Sequence, residues 1–288
     1  MRQSQQPPDL AVSDDRKYKP IIGSWAEEKY KLLWCYADLF ATSMKSKWDK
    51  LTYVDLFSGA GHARIRYSTR VVLGSPLLAL TVKDPFDSYI FCDRDPKCIS
   101  ALRERVKATK SEAEVHFVQA DANKAVKELL DVLPSYGLGK SVLGFCFADP
   151  QKLSDLHFET IATLADRFMD FLVHIPAMDP IRNQTLYCEP GNPSVERFVG
   201  NPNWLEAWAA AGPQIGFDLF VARCFAESMQ SLGYKHDDVE NPVLVRSDEK
   251  NVPLYRLAFF SRHQLGQKFW EETKKWSDPQ LKLFKEPK

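Results

Sequence analysis

The stretch Tyr53-Val54-Asp55-Leu56-Phe57-Ser58-Gly59-Ala60-Gly61-His62 constrains this chain more than any other. Leu51 to Phe57 is short, rich in β-formers and apolar apart from Asp55, the pattern of a buried parallel strand. It runs straight into Ser58-Gly59-Ala60-Gly61, where glycine admits positive φ and lets a ligand approach the backbone closely. A carboxylate near the end of such a strand can accept hydrogen bonds from an amine, while the N–H groups of the loop face an anion. That combination suits a zwitterionic amino acid.

A dinucleotide needs a different loop. The G-x-G-x-x-G fingerprint requires a third glycine and a helix that opens at once to receive the pyrophosphate. Here the third position is Arg64, and no helical pattern starts before Ser75. S-adenosylmethionine (SAM) carries an amino acid and no pyrophosphate, so it does not need that glycine. The reading from these residues is a SAM pocket with Asp55, Phe57, Gly59 and Gly61 around the methionine moiety.

Later strands end on acids as well. Tyr89-Ile90-Phe91-Cys92 runs into Asp93-Arg94-Asp95-Pro96, and a carboxylate leaving the second strand of a nucleotide-binding unit can take both ribose hydroxyls. Asp93 is the expected ribose ligand, whereas Asp95-Pro96 is expected to cap the helix Lys97 to Lys107, whose Arg and Lys residues read as a solvated face. Val115 to Ala120 ends at Asp121-Ala122, where Asp121 can accept from the adenine amine and Ala122 can give a backbone N–H to the ring. Capping the following helix is the competing role for Asp121. A fourth apolar strand, Ser141 to Ala148, stops at Asp149-Pro150, which places Asp149 where it can orient a nucleophile. A turn-forming Asp-Pro is the alternative there. His174, inside a fifth strand from Met169 to Ile175, reads as a satisfied core residue rather than a base.

Between the first strand and the helix after Ser75, Ala63 to Gly74 holds Arg64, Arg66 and Arg70 and no acid. Two short β-like runs predict a hairpin there, and Arg64 and Arg66 are candidates for meeting nucleic-acid phosphates, with a solvated ribbon edge as the alternative. The inserted hairpin also explains why Asp93 lies 32 residues after Gly61, a longer gap than usual.

Residues 1–23 are polar and proline-bearing and read as a mobile tail, and 277–288 read as a C-terminal tail. Residues 24–276 read as a single domain, with a helix starting at a Ser24 cap and with 177–216 as an inserted segment carrying a short helix near Trp204 to Ala211. A helix from Phe217 and a hairpin of 243–245 with 255–260 follow. Lys+Arg and Asp+Glu are both 38, so no global charge points to nucleic acid. The six cysteines are scattered with no C-x-x-C pair, which predicts a reduced, cytoplasmic protein without structural zinc. No apolar run is long enough to span a bilayer.

The order of elements is similar to that of the class I SAM-dependent methyltransferases, whose terminal hairpin sets them apart from an NAD-binding sheet. More closely, the chain resembles the three-Cys-motif partner protein (TcmP) family. The residues that carry the resemblance are Trp25 with Glu28-Lys29, Tyr53 to Gly61, Gly74-Ser75-Pro76-Leu77, Phe91 to Pro96, Asp149-Pro150, and Leu257 to Ser261 with Trp270. The family implies a SAM pocket and a partner bearing a three-cysteine motif of radical-SAM type. Its members usually continue Asp-Pro with Phe-Gly, where this chain has Gln151-Lys152, which leaves the methyl acceptor open.

The expectation is therefore an α/β, Rossmann-like, seven-stranded, mostly parallel sheet with an antiparallel last strand. Its expected activity is methyl transfer from SAM to an unidentified nucleophile, a nucleic-acid base amine among the candidates. The rival expectation is a SAM-binding, catalytically silent partner module.

Overall fold

The computed structural model describes residues 6–109, 111–134, 141–212, 214–235, 243–246 and 252–276. The chain divides into two compact units, residues 1–147 with 268–288, and residues 148–267. No helix among the described residues is long and apolar enough to cross a membrane.

The first unit opens with two short strands, β1 (Ala11–Val12) and β2 (Ile21–Ile22), then helix α1 (Ala26–Met44) and strand β3 (Lys50–Asp55). There follow β4 (His62–Ile65), β5 (Val71–Leu73), α2 (Ser75–Ala79), β6 (Ser88–Cys92), α3 (Pro96–Thr109), β7 (Glu114–Val118), α4 (Val126–Val132) and β8 (Val142–Ala148). β3 has a parallel neighbour on either side, with Asp55 opposite Phe91 of β6 and opposite Phe147 of β8. Flanked on both edges and covered on both faces, the strand is buried from Leu51 to Asp55, which is why its sequence shows a continuous apolar run instead of alternation. Its aromatic Tyr53 packs 5.6 Å from Phe86 and 5.8 Å from Phe145, and Tyr36 of α1 lies 4.8 Å from Phe145. The buried hydroxyls of Thr52 and Ser88 sit opposite each other and share a hydrogen bond of 2.9 Å, so neither is left unsatisfied.

In the second unit come a 3-10 turn at Leu153–Asp155, α5 (Phe158–Leu164), β9 (Met169–Pro176), α6 (Met178–Tyr187), α7 (Ser194–Val199), α8 (Trp204–Ala211), α9 (Phe217–Ser231), β10 (Val243–Arg246) and β11 (Pro253–Phe260), and the last helix, α10 (Gln264–Lys274), belongs from residue 268 onward to the first unit. β11 runs antiparallel to both β9 and β10, the expected terminal hairpin. Among the described residues the inserted segment holds three helices where the sequence showed one, because α6 contains Pro180 and is kinked at Asn183, and α7 has only six residues. A buried Arg256–Asp218 pair at 2.5 Å ties β11 to α9.

The large sheet has the order β10-β11-β9-β8-β3-β6-β7. This is the expected mostly parallel, Rossmann-like sheet with antiparallel last strands, the arrangement of the class I methyltransferase fold.

Two expectations change at the N-terminus. The described part of residues 1–23 is tied down: β1 pairs with β5, β2 pairs with β4, and β1-β5-β4-β2 make a second, four-stranded sheet. A two-residue strand has no readable period, so sequence alone could not reveal it. Helix α1 is preceded by Trp25 with no side-chain cap, so Ser24 does not cap it. Lys29 of the same helix is buried.

Arg105 explains much of this docking. Expected on the solvated face of α3, it is buried, and its Nε and Nη2 donate to the two oxygens of Asp15 at 2.7 and 2.8 Å. The guanidinium holds the Asp15 carboxyl well below the usual carboxylate range. A carboxyl lowered on folding stabilises above its unfolded value, here the ordinary 3.8, and loses that effect as pH falls below it. Replacing Asp15 by Asn leaves a buried guanidinium unpaired, so it should cost about 3 kcal/mol near neutral pH. Urea unfolding at a series of pH values checks this. The gap between Asp15→Asn and the parent should narrow as the pH is taken below 3.8.

Candidate functional site

The loop after β3 is built from two left-handed glycines. Gly59 has φ +60° and Gly61 φ +80°, conformations that disfavour any side chain. Burial alternates along it: Ser58 and Ala60 are buried, whereas Phe57 and Gly59 are half-exposed. A side chain at Gly59 would meet nothing within 4 Å, so open space lies over the turn. At Gly61 a Cβ would come within 2.8 Å of Leu102 and 3.0 Å of Leu77, so close packing of α3 and α2 requires glycine there. Ser58 Oγ is buried and has no hydrogen-bond partner among the described residues.

Polar groups hold this turn from several sides. Asp55 is fully buried beneath it and accepts from the Phe57 N–H at 3.2 Å and the Tyr53 hydroxyl at 3.3 Å. Asp93, leaving the adjacent strand β6, accepts from the Gly59 N–H at 2.8 Å through one oxygen and from the Asp95 N–H at 2.8 Å through the other. Arg105 Nη1 donates to the Ala60 carbonyl at 2.5 Å and to the Tyr18 carbonyl at 2.9 Å. The N-terminal segment, through Asp15 and Tyr18, is thus joined by one guanidinium to the peptide between the two glycines. Sequence reasoning missed Arg105 because charged residues at helical spacing usually face water.

Burial pushes the Asp93 carboxyl up, opposed by the two backbone donors and assisted by nearby Asp95. A carboxylate has about four acceptor positions, so with two taken Asp93 still has capacity for two hydroxyls. Asp95 is used differently: it accepts from the Lys97 N–H at 2.8 Å, capping α3 as expected, and from the Tyr18 hydroxyl at 3.1 Å.

The exit of β7 lies beside that of β6, since the Asp93 N–H donates to the Val118 carbonyl at 3.1 Å. Asp121 is half-buried, accepts from the Asn123 N–H at 2.9 Å and turns the chain toward α4; Ala122 is buried. The expected group is therefore partly assembled: Gly59 and Asp93 touch, Asp55, Phe57 and Gly61 belong to the same turn, and Asp121 and Ala122 follow the neighbouring strand. Cys92 and Cys98 are buried nearby, with thiols pushed up to about 12 chiefly by burial, and neither is an activated nucleophile.

Arg64 and Arg66 stand exposed on and just beyond β4 in the small sheet. The second unit carries Asp149 at its start. That carboxylate is buried and pairs with His174 Nδ1 of β9 at 2.9 Å, and the imidazole stacks on Tyr255 with centroids 4.4 Å apart. His174 is buried, as the sequence suggested, but its partner is an acid.

The sequence matches no family model and no curated protein. Among solved structures it is similar to protein LPL1258 from Legionella pneumophila, at 13% identity over 87% of this chain and 93% of that one, with a TM-score of 0.48. It is also similar to magnesium protoporphyrin IX methyltransferase from Synechocystis PCC 6803 with bound SAM, at 10% identity, 83% and 85% coverage and a TM-score of 0.38. TYW2 from M. jannaschii in complex with AdoMet is a further likeness, at 11% identity, 79% and 77% coverage and a TM-score of 0.36. Likenesses of that depth carry no chemistry across, and the fold rests on the strand order itself.

The two glycines should respond differently to alanine. Gly59→Ala faces only the conformational cost, about 1–2 kcal/mol. Gly61→Ala adds crowding against Leu102 and Leu77, for a loss of about 2–4 kcal/mol in all. Thermal and urea unfolding of the two variants side by side checks that order.

Proposed function

We propose that this protein binds SAM at the β3–β6–β7 strand ends and is a SAM-dependent methyltransferase. The observation that carries the reading is the Gly59–Asp93 contact: a two-glycine turn, open above Gly59, fixed to a half-buried carboxylate at the end of the next strand. The residues fit the cofactor. The space over Gly59 suits a group lying against the turn, and the unpartnered Ser58 hydroxyl is a polar atom still wanting a partner.

SAM supplies a methyl group on a sulfonium for displacement by a nucleophile. The residues of this chain hold and orient. Phe57, Gly59 and Gly61 flank the methionine moiety, with Asp55 setting the turn from beneath. Asp93 takes the ribose hydroxyls, while Asp121 and the Ala122 N–H take the adenine edge. Asp149 receives a hydrogen bond or proton from the nucleophile, and His174 on its other side keeps that carboxylate in place. Displacement at a methyl group depends mainly on in-line positioning, so no stronger acid or base is required. The chain's kinship to the TcmP proteins, with a three-cysteine-motif partner, is part of the same proposal and rests on the motifs quoted above.

Calorimetry with SAM tests the cofactor assignment. Asp93→Ala removes two charge-assisted bonds to the ribose and should weaken binding roughly 100-fold. Asp95→Ala, which removes a helix cap, should weaken it only a few-fold. Equal losses would contradict the assignment of Asp93. Formation of S-adenosylhomocysteine when cell RNA is added supports the transferase, whereas tight binding with no turnover supports the silent partner module.

A further inference from the structure

The hairpin of β4 and β5 grows out of the glycine turn and returns to it. Its root is closed by the Gly74 N–H donating to the Gly61 carbonyl at 2.7 Å, with His62 opposite Leu73. Its far end, Arg66 to Arg70, is exposed at every residue. That end is nonetheless well defined: the Ile65 N–H donates to the Arg70 carbonyl at 2.9 Å, the Ser68 N–H to the Ile65 carbonyl at 3.1 Å, and the Arg70 N–H to Ser68 Oγ at 3.0 Å.

At the tip stands Tyr67, with φ +61° and 99% of its surface exposed. A bulky residue in the left-handed region is uncommon and strained, and such strain clusters at functional positions. Nothing in the fold rewards holding an aromatic ring in water. Arg66, next to it in the chain, and Arg64 on β4 are exposed and have no carboxylate partner among the described residues. Arg70 is different: its Nη1 and Nη2 make a two-pronged pair with Glu27 at 2.9 and 2.8 Å, which fastens the returning strand to the start of α1. The arm is thus braced at its root and on one side, while Arg64 on β4, Arg66 just beyond it and Tyr67 at the tip are all exposed.

We propose that this tip is a docking arm for single-stranded nucleic acid, with Arg64 and Arg66 meeting phosphates and Tyr67 stacking on an unpaired base. It names the acceptor class of the proposed methyltransferase and rests on that reading. Guanidinium groups pair with phosphate in a fixed fork, and a tyrosine face accepts any base once it is unstacked. A duplex hides its base faces, and the zero net charge of the chain offers no broad basic surface to follow one. An acidic protein segment would satisfy the arginines but give the ring nothing to stack on.

Fluorescence anisotropy with a labelled single-stranded RNA oligonucleotide, without SAM, tests the arm separately from the cofactor site. The parent should bind at low salt, with a slope of log affinity on log salt near −1.4 for two phosphate contacts. Tyr67→Asn, which retains the left-handed turn and removes the ring, should weaken binding about tenfold. Arg64→Gln with Arg66→Gln should weaken it and flatten the salt dependence. Unchanged melting temperatures would confirm that these surface variants are folded. No binding by the parent, equal binding of the matching duplex, equal competition by an acidic peptide, or variants indistinguishable from the parent would each overturn the arm. SAM binding in calorimetry would then stand untouched.

Discussion

The Gly59 N–H and the Ala60 carbonyl are held by side chains from two other elements, and the rest of the site depends on that grip. A turn with two left-handed residues has no hydrogen-bonding pattern of its own to keep it open. Here Asp93 takes the Gly59 N–H and Arg105 reaches the Ala60 carbonyl, while Asp55 anchors the strand just before it. The turn is shaped by β6, α3 and the N-terminal segment together. Pre-set polar groups of this kind need little reorganisation when a ligand arrives.

Arg105 also gives the N-terminal segment a role that its composition hides. Its guanidinium spans from Asp15 and Tyr18 to the glycine turn, and Tyr18 in turn donates to Asp95 at the start of α3. Stability and site geometry are therefore coupled through one buried cation. Loss of Asp15 would be felt first as a loosening beneath Ala60, because an unpaired buried charge draws in water or moves.

The large sheet was legible in the sequence because its strands are buried on both faces and read as plain apolar runs, as at Tyr53–Val54 and Val142–Ala148. The acids that end those runs were legible for the same reason: Asp55, Asp93 and Asp149 break an apolar pattern at its edge. What stayed hidden was set by contacts distant in the chain. The two-residue strands β1 and β2 have no period, and Arg105 is distinguished from a surface arginine only by Asp15, 90 residues away. The Asp149–His174 pair likewise joins residues from separate segments that each looked complete alone. Tyr67 was invisible as a feature because exposure and a positive φ are properties of a turn, not of a residue type.

The central claim is that neighbouring strand ends grip a sulfonium nucleoside beside the two-glycine turn. Hydrogen exchange read by mass spectrometry, with and without saturating SAM, tests it most directly. Segments containing residues 55–61, 93–95 and 121–123 should all gain protection with SAM, and should not do so with an equal concentration of a nicotinamide dinucleotide. Protection elsewhere with these three segments unchanged, or the same protection from the dinucleotide, would contradict it.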